Sequence, residues 1–297
     1  MKIALFAREI ESVWREKLCL IIRNLLDKKI ELCYYKPFYD KARIRYHLDI
    51  PYAQTYNGYE DLPQDTDLLV CFGGDGTYLE SVTHVRERGI PIAGINFGRL
   101  GFLTGADMND LFWTDSLVNN DFTVESRSLL KITSENLPED FFRYALNEIT
   151  IQRKDPSMLE VKVEVNGARL PSNWSDGLVI ATPTGSTAYS MSIGGPIILP
   201  GTKALIIAPI APHNLNVRPL VVPESALIRI NVSSRWKEVL LSTDNRFISV
   251  SSKDQFSVTK GEFDLNYVLF NTGGFIGALK EKLRWGDDKR NGTLDKK

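Results

Sequence analysis

Apolar residues change their spacing near residue 122, and the change predicts two kinds of structure in one chain. Upstream, residues 2–6 and 30–35 are apolar runs of strand length, and residues 12–26 between them carry apolar side chains at helical spacing. Residues 68–72 form a third such run, which breaks into Gly-Gly-Asp-Gly-Thr at 73–77. Helical spacing follows as far as Gly89, then another apolar stretch at 90–95 and a short helical pattern at 110–118. Strand, glycine turn, helix and strand make a right-handed βαβ unit. Its turn lies at the carboxyl end of the first strand, where open parallel sheets bind ligands. Residues 36–63, rich in Tyr, Pro, Asp and Lys without a clear period, read as an exposed connection or flap.

Downstream the runs are shorter and punctuated by turns: 129–133, 148–152, 161–165, 178–181, 226–232, 238–242 and 247–251 each read as a strand, and Asn166-Gly167 is a hairpin signal. This half is predicted to be all-β, a sandwich or layered sheets. Residues 277–285 regain helical character, and a charged, frayed tail is expected from 286. The predicted organisation is an α/β domain over 1–121, a β-rich domain over 122–271 and a C-terminal helix with its tail over 272–297.

The glycine turn carries the first candidate chemistry. Gly73, Gly74 and Gly76 can adopt positive φ and leave backbone N–H groups accessible, so the turn and helix start, with Thr77, can hold phosphate oxygens. Asp75 does not belong in a pure phosphate cradle. A carboxylate beside a polyanion is repelled unless a magnesium ion or a hydroxyl proton gives it a partner, which points to a proton acceptor at a phosphoryl-transfer site. The plainer alternative is a turn-forming Asp. The chain lacks Gly-x-x-x-x-Gly-Lys-Ser/Thr, and Leu79 breaks the dinucleotide pattern Gly-x-Gly-x-x-Gly around Gly74.

A second constellation lies in the β half. Residues 182–192 are dense in hydroxyls and glycine: Thr184, Ser186, Thr187, Ser190 and Ser192 stand with Gly185, small Ala188 and the ring of Tyr189, a set suited to a flat heteroaromatic ligand with ribose hydroxyls. A polar surface loop is the competing reading. Asn147-Glu148 interrupts an apolar, strand-like segment. Neighbouring strand side chains point to opposite faces, so at least one of the pair meets solvent or recognises something, and Glu148 could accept two ribose hydroxyl protons.

Composition narrows the class without deciding it. The 297 residues are 43% hydrophobic and 25% charged, enough for two cores, and a net charge of −1 with scattered basic residues disfavours nucleic acid as a partner. Cys19, Cys33 and Cys71 have no metal-ligand spacing and sit in apolar stretches, as buried free thiols would. The first residues become charged too early for a signal peptide, and no apolar run approaches membrane length. A cytoplasmic protein without a membrane partner is expected, and the sequons at Asn173, Asn231 and Asn291 are read as chance.

Taken together, these residues resemble the NAD kinase family. The resemblance spans residues 68–223 and rests on Gly-Gly-Asp-Gly-Thr at 73–77, Gly-Ile-Asn-Phe-Gly-Arg-Leu-Gly-Phe-Leu at 94–103, Asn147-Glu148, Ser175-Asp176-Gly177, residues 182–192, and Pro212-His213-Asn214 with Arg218-Pro219. It implies a Rossmann-like α/β domain, a β-rich domain, a C-terminal helix returning to the first domain, and homodimers or homotetramers. The implied reaction moves the terminal phosphate of ATP, with magnesium or another divalent cation, to the 2′-hydroxyl of the adenosine ribose of NAD. Asp75 would be the base and would also contact NAD. Gly73, Gly74, Gly76 and Thr77 would surround the phosphates, and Gly76 and Phe102 would lie beside NAD. Asn147 and Glu148 would fix the dinucleotide, with Asp176 near the nicotinamide ribose. Thr187, Ala188, Tyr189, Ser190, Met191, Ser192 and Ala211 would line its pocket. Because magnesium arrives with ATP, no separate protein cage for a metal is expected.

The chain departs from the family in two places. Asp244-Asn245-Arg246 replaces Asp-Gly-Gln in a late turn, leaving Asp244 and Arg246 as candidate contacts, and Trp174 stands where many members have a basic residue. Arg246 is the candidate to offset the pyrophosphate charge. His213 reads as a structural loop residue, since Asp75 already supplies a base. Two other functions compete. Lipid kinases and phosphofructokinases also carry Gly-Gly-Asp-Gly turns, but need an apolar mouth or an arginine cluster in place of residues 182–192. A non-catalytic NAD(P) sensor would gain nothing from Asp75.

Overall fold

The computed structural model describes residues 1–8, 11–45, 50, 53–98, 101–270 and 274–284. The chain divides into two compact units: Met1–Val85, Ile90–Glu125 and the chain from Tyr267 form the first, Arg86–Gly89 and Ser126–Asn266 the second.

In the first unit, β1 (Lys2–Ala7) leads through a 3₁₀ turn, Ser12–Trp14, into α1 (Arg15–Asp27) and then β2 (Glu31–Tyr35). Next come α2 (Lys36–Asp40), β3 (Gln54–Tyr56), β4 (Leu68–Phe72), α3 (Asp75–Val85), β5 (Ile92–Asn96), β6 (Ala106–Asp107) and α4 (Phe112–Asn119). The parallel sheet has the order β5-β4-β1-β2-β3, with Ile3 opposite Leu68 and Leu69 opposite Ile92. Every residue of β4 and β5 is buried, as a parallel sheet covered on both faces requires. Leu18, Ile21, Ile22 and Leu25 form the buried stripe of α1 and join Ile3, Leu5, Val70 and Phe72 in one core. That core anchors β4, and β4 aims the glycine turn.

The described part of residues 36–63 has more regular structure than an exposed flap. It contains α2, a π-helical turn at Lys41–Arg45 and β3, which pairs in parallel with β2. Phe38, Tyr39 and Tyr56 are buried. The aromatic residues that obscured any sequence period are the ones that pack, so burial outweighed the Pro and Asp turn signals.

The second unit holds most of β7 (Thr123–Thr133), then β8 (Tyr144–Ala145), β9 (Glu148–Arg153), β10 (Leu159–Val165), β11 (Ala168–Arg169), β12 (Asn173–Ser175) and β13 (Gly177–Ala181). After α5 (Tyr189–Ser192) come β14 (Ala204–Ile210), β15 (Leu220–Pro223), β16 (Ile228–Ser233), β17 (Glu238–Thr243), β18 (Arg246–Ser251) and β19 (Gln255–Leu269). Antiparallel strands in the order β15-β14-β13-β9-β17-β18 make one sheet, and β10, β16 and β19 pair antiparallel in another. Their facing apolar residues, among them Ile149, Ile151, Leu178, Ile180, Leu205 and Phe256, share a core. Asn166 (φ 49°) and Gly167 (φ 87°) form the predicted hairpin.

Sequence periodicity missed β14, β15 and β19. β14 is apolar at all seven positions and contains Pro209, so neither alternation nor strand propensity marks it. The last helix, α6 (Gly274–Leu283), belongs to the first unit and begins three residues earlier than its sequence pattern. The expected frayed tail lies outside the described residues, as do Arg99 and Leu100 of the 94–103 motif and the sequon at Asn291. Cys33 and Cys71 are buried and Cys19 half-buried, all three free, and burial pushes the Cys33 thiol up to about 11. No described helix is long and apolar enough to cross a membrane.

Candidate active site

The glycine turn in the first unit is built more tightly than its glycines alone suggest. Gly73 donates its N–H to Ile95 O (2.9 Å), and a Cβ there would meet Thr77 Oγ1 at 2.5 Å. Of the three turn glycines, only Gly73 takes positive φ (154°). Gly74 O accepts from the N–H groups of Thr77 and Tyr78, which starts α3, and Gly76 already lies inside that helix. Gly74 and Gly76 thus do not use the positive φ open to them. A Cβ on either residue would meet open space, so their smallness leaves room beside the helix start. Thr77 lines a cavity of about 590 Å³ with Arg8, Tyr35, Pro37, Lys41 and Glu80. Arg8 Nε pairs with Glu80 at 2.8 Å.

Asp75, at the first position of α3, is held from one side by the 101–104 loop. Its Oδ2 accepts from Phe102 N–H (2.9 Å) and its Oδ1 from Leu103 N–H (3.0 Å). An ionised carboxylate offers about four lone-pair positions, so two neutral N–H donors leave acceptor capacity on each oxygen. Lys282 Nζ of α6 lies 3.7 Å from Oδ2 and 4.3 Å from the centre of the Phe102 ring. Phe275 of the same helix is 6.0 Å from that ring, centre to centre. Phe102 thus already carries a cation on its ring.

Gly101 is a site residue whose role the 94–103 motif does not reveal. A Cβ there would fall 1.8 Å from Asp75 Oδ1 and 2.3 Å from Thr104 Oγ1, while Gly101 N–H donates to that hydroxyl at 3.0 Å. Gly101→Ala is therefore expected to displace the Asp75 carboxylate and to lower kcat about 10²-fold, the cost of a reacting group misplaced by about 1 Å. The melting temperature should fall by only a few degrees. Steady-state rates beside a melting curve check this, and unchanged turnover would contradict the seating described.

In the second unit, Asn147 and Glu148 are both buried, so neither is the solvent-facing partner of an alternating strand. The strand breaks between β8 and β9, and the break is stabilised by Asp244. That carboxylate accepts from the backbone N–H groups of Leu146 (2.9 Å), Asn147 (2.8 Å) and Glu148 (3.2 Å). Asp244 takes φ 53° in the two-residue β17–β18 turn, so its side chain folds inward and is 1% exposed. Its place is behind Asn147-Glu148, as their support. Burial raises its pKa, and the Arg246 guanidinium and the three N–H donors oppose that rise. Arg246 Nη2 lies 3.5 Å from Asp244 and donates to Tyr144 O at 2.8 Å. The guanidinium expected to offset a pyrophosphate is thus engaged within the β framework.

Glu148 is pushed up to about 8, first by burial and then by the Asp244 charge, while Tyr189 N–H donates to its carboxylate and partly offsets both. Its Oε2 is buried without a protein partner. Segment 182–192 folds onto the same place as a 3₁₀ turn, Thr184–Thr187, followed by α5. Thr182 N–H donates to Asn147 O (2.9 Å) and Thr182 Oγ1 to Leu146 O (2.5 Å), and a Cβ on Gly185 would fall 2.1 Å from Asn147 O. Glycine is needed at 185 for this close approach.

Several hydroxyls expected to face a ligand serve the backbone instead. Ser186 Oγ bridges Ile198 N and O, and Thr187 Oγ1 donates to Thr184 O. Ser190 Oγ is buried without a protein partner, Ala188 and Met191 are half-buried, and Ser192 is exposed. Tyr189 packs on the cluster of Val179, Ala181, Ile206 and Ala208.

Asp176, expected near a ribose, is paired with Arg153 through Nε–Oδ1 (2.9 Å) and Nη2–Oδ2 (3.1 Å). Nothing in the local sequence pattern marks Arg153 for this contact. A bidentate fork of this kind fixes the carboxylate plane. Exposed Ala211 follows β14 with φ 42°, an uncommon value for a residue with a Cβ, and His213 N–H donates to Trp174 O at 2.7 Å. The structure therefore gathers Gly73, Gly74, Asp75, Gly76, Thr77, Gly101, Phe102 and Lys282 in the first unit. Asn147, Glu148, Gly185, Tyr189 and Asp244 come together in the second.

Comparison with known proteins identifies the family. Residues 6–121 match the ATP-NAD kinase N-terminal domain and residues 146–270 the ATP-NAD kinase C-terminal domain. The NAD kinase of Flavobacterium psychrophilum is 43% identical over 242 residues, covering 80% of this chain and 82% of that one. The NAD kinase of Christiangramia forsetii is 37% identical over 98% of this chain and all of its own. Among solved structures, yeast NADH kinase complexed with NADH superposes with a TM-score of 0.81 at 25% identity, covering 97% of this chain and 88% of that one. An NAD kinase from Archaeoglobus fulgidus in complex with ATP superposes with 0.71 at 25% identity, covering 96% and 99%. With a seated carboxylate in its glycine turn, a buried Asn-Glu pair in its β-rich unit and relatives matching along nearly its whole length, the chain belongs to the NAD kinase family.

Proposed function

We propose that the chain transfers the terminal phosphate of ATP to the 2′-hydroxyl of the adenosine ribose of NAD, giving NADP and ADP, with Asp75 as the base. The 2′-oxygen attacks the γ-phosphorus, the bond from that phosphorus to the β–γ bridging oxygen breaks, and the hydroxyl proton passes to Asp75. Phosphoryl transfer asks little covalent chemistry of a protein, so placement of the hydroxyl and neutralisation of charge carry the rate. The observation that carries the reading is the Asp75 carboxylate, held by two backbone N–H groups with acceptor capacity to spare, beside a turn left open by Gly74 and Gly76.

In this reading Gly73, Gly74, Gly76 and Thr77 border the phosphates, and Arg8 and Lys41 line the cavity next to Thr77. Asn147 and Glu148 take the dinucleotide, Glu148 accepting ribose hydroxyl protons through the oxygen that lacks a protein partner. In the second unit, Ala188 to Ser192, Asp176 and Ala211 border the dinucleotide. The solved relatives support the two substrates, one having been crystallised with NADH and the other with ATP. In this reading the divalent cation would come with ATP and keep several of its own waters. Magnesium bound to ATP would neutralise charge that develops on the transferred phosphoryl group. We assign the protein to the cytoplasm as a homodimer or homotetramer.

The test is to incubate the pure protein with NAD, ATP and magnesium and to follow NADP with an NADP-specific dehydrogenase. NADP should form in proportion to enzyme. Equilibrium binding of NAD with no NADP formed would replace the kinase reading with that of a sensor.

A further inference from the structure

We propose that Lys282 of α6 is a positioning residue for the phosphoryl transfer, holding Asp75 in place and offsetting its charge when the triphosphate arrives. The proposal rests on the kinase reading above. Its basis is a three-part contact: the Lys282 ammonium lies 3.7 Å from Asp75 Oδ2 and 4.3 Å from the centre of the Phe102 ring, whose own N–H donates to that same Oδ2. Phe275 and Lys282 are seven residues apart and therefore share one face of α6, so the Phe275–Phe102 contact docks the helix and delivers the ammonium. The Lys282 side chain is 24% exposed and that of Asp75 32%, an intermediate setting in which charge interactions exceed those of a solvated pair.

The need for such a cation follows from the reaction. A base that receives the 2′-hydroxyl proton stands within a few ångströms of the phosphates, and like charges that close repel strongly at the effective dielectric near a protein surface. Magnesium would arrive with the phosphates and neutralise charge there, whereas Lys282 lies beside the carboxylate itself. Remove the ammonium, and Asp75 repels ATP and loses one of the three groups that orient it. A surface ion pair without function would contribute little to stability and nothing to turnover.

The experiment compares wild type, Lys282→Met and Lys282→Arg, each also combined with Asp75→Asn. Steady-state rates, melting temperature, NAD affinity and affinity for a non-hydrolysable ATP analogue with magnesium are measured. The expected result for Lys282→Met is a kcat about tenfold lower and analogue binding about tenfold weaker. NAD affinity should stay within twofold of wild type and the melting temperature within two degrees, and Lys282→Arg should recover most of the loss. In the Asp75→Asn background, where no carboxylate remains to be offset, Lys282→Met should change analogue binding less than twofold.

Lys282→Met matching wild type in rate and analogue binding would overturn the role. So would an equal loss of analogue binding in the Asp75→Asn background, or a fall in melting temperature with no rescue by Arg. Absence of NADP from the wild type would instead overturn the kinase reading, and the role of Lys282 with it.

Discussion

Asp75→Asn is expected to lower kcat by about 10²–10⁴-fold, the usual contribution of a positioned general base, while NAD still binds. The size of the loss follows from the chemistry: the amide has no basic oxygen to take the 2′-hydroxyl proton, and the turn offers no second carboxylate. The structure adds a cost to be separated from the chemical one. Asp75 accepts from Phe102 N–H on one oxygen and Leu103 N–H on the other, so the amide must turn its NH₂ toward one of them. A half-buried N–H left without an acceptor costs about 1–3 kcal/mol. The variant should therefore melt a few degrees lower and still fold. Rates measured under saturating NAD and ATP, with NAD affinity and a melting curve, distinguish the two effects. Turnover within tenfold of wild type would remove Asp75 from the role of base.

The sequence made the α/β and β-rich halves legible because each has its own apolar period, and the glycine turn because its residues are adjacent. Arrangements built from distant residues left little trace. Asp244 supports Asn147-Glu148 across 96 to 98 positions of sequence, and nothing in the local pattern of the late turn says where its carboxylate folds. Lys282 is one of several charges on a short amphipathic helix, distinguished only when Phe275 meets Phe102. Gly101 and Gly185 were readable as glycines. Their purpose appears only when a Cβ is seen to strike Asp75 or the Asn147 carbonyl. The hydroxyl-rich segment misled in the opposite direction: Ser186 and Thr187 satisfy buried backbone, which composition cannot tell apart from ligand contacts.

Glu148→Gln is expected to move stability and binding in opposite directions, and pH shows why. With its pKa raised from the ordinary 4.5 to about 8, the folded protein retains a proton that the unfolded chain releases. The stabilising contribution of this group is thus fully present below about pH 4.5, declines as pH rises toward 8 and is lost above it. The swing amounts to about 5 kcal/mol at most. Gln has nearly the same shape and no charge to bury. The variant should therefore melt close to wild type at pH 5 and roughly 5–10 °C higher at pH 8.5. Dinucleotide binding should move the other way. An ionised carboxylate accepts two ribose hydroxyl protons through charge-assisted bonds, whereas the amide accepts through a single oxygen, so NAD affinity should fall about 10²-fold. Wild-type affinity should itself strengthen between pH 5 and 8 as Glu148 ionises, and that of the variant should remain flat. Melting curves and NAD titrations at three pH values read both quantities. A variant no more stable than wild type at pH 8.5 would show that the buried carboxylate carries no cost. Undiminished NAD affinity would show that the unpartnered oxygen does not face the ribose.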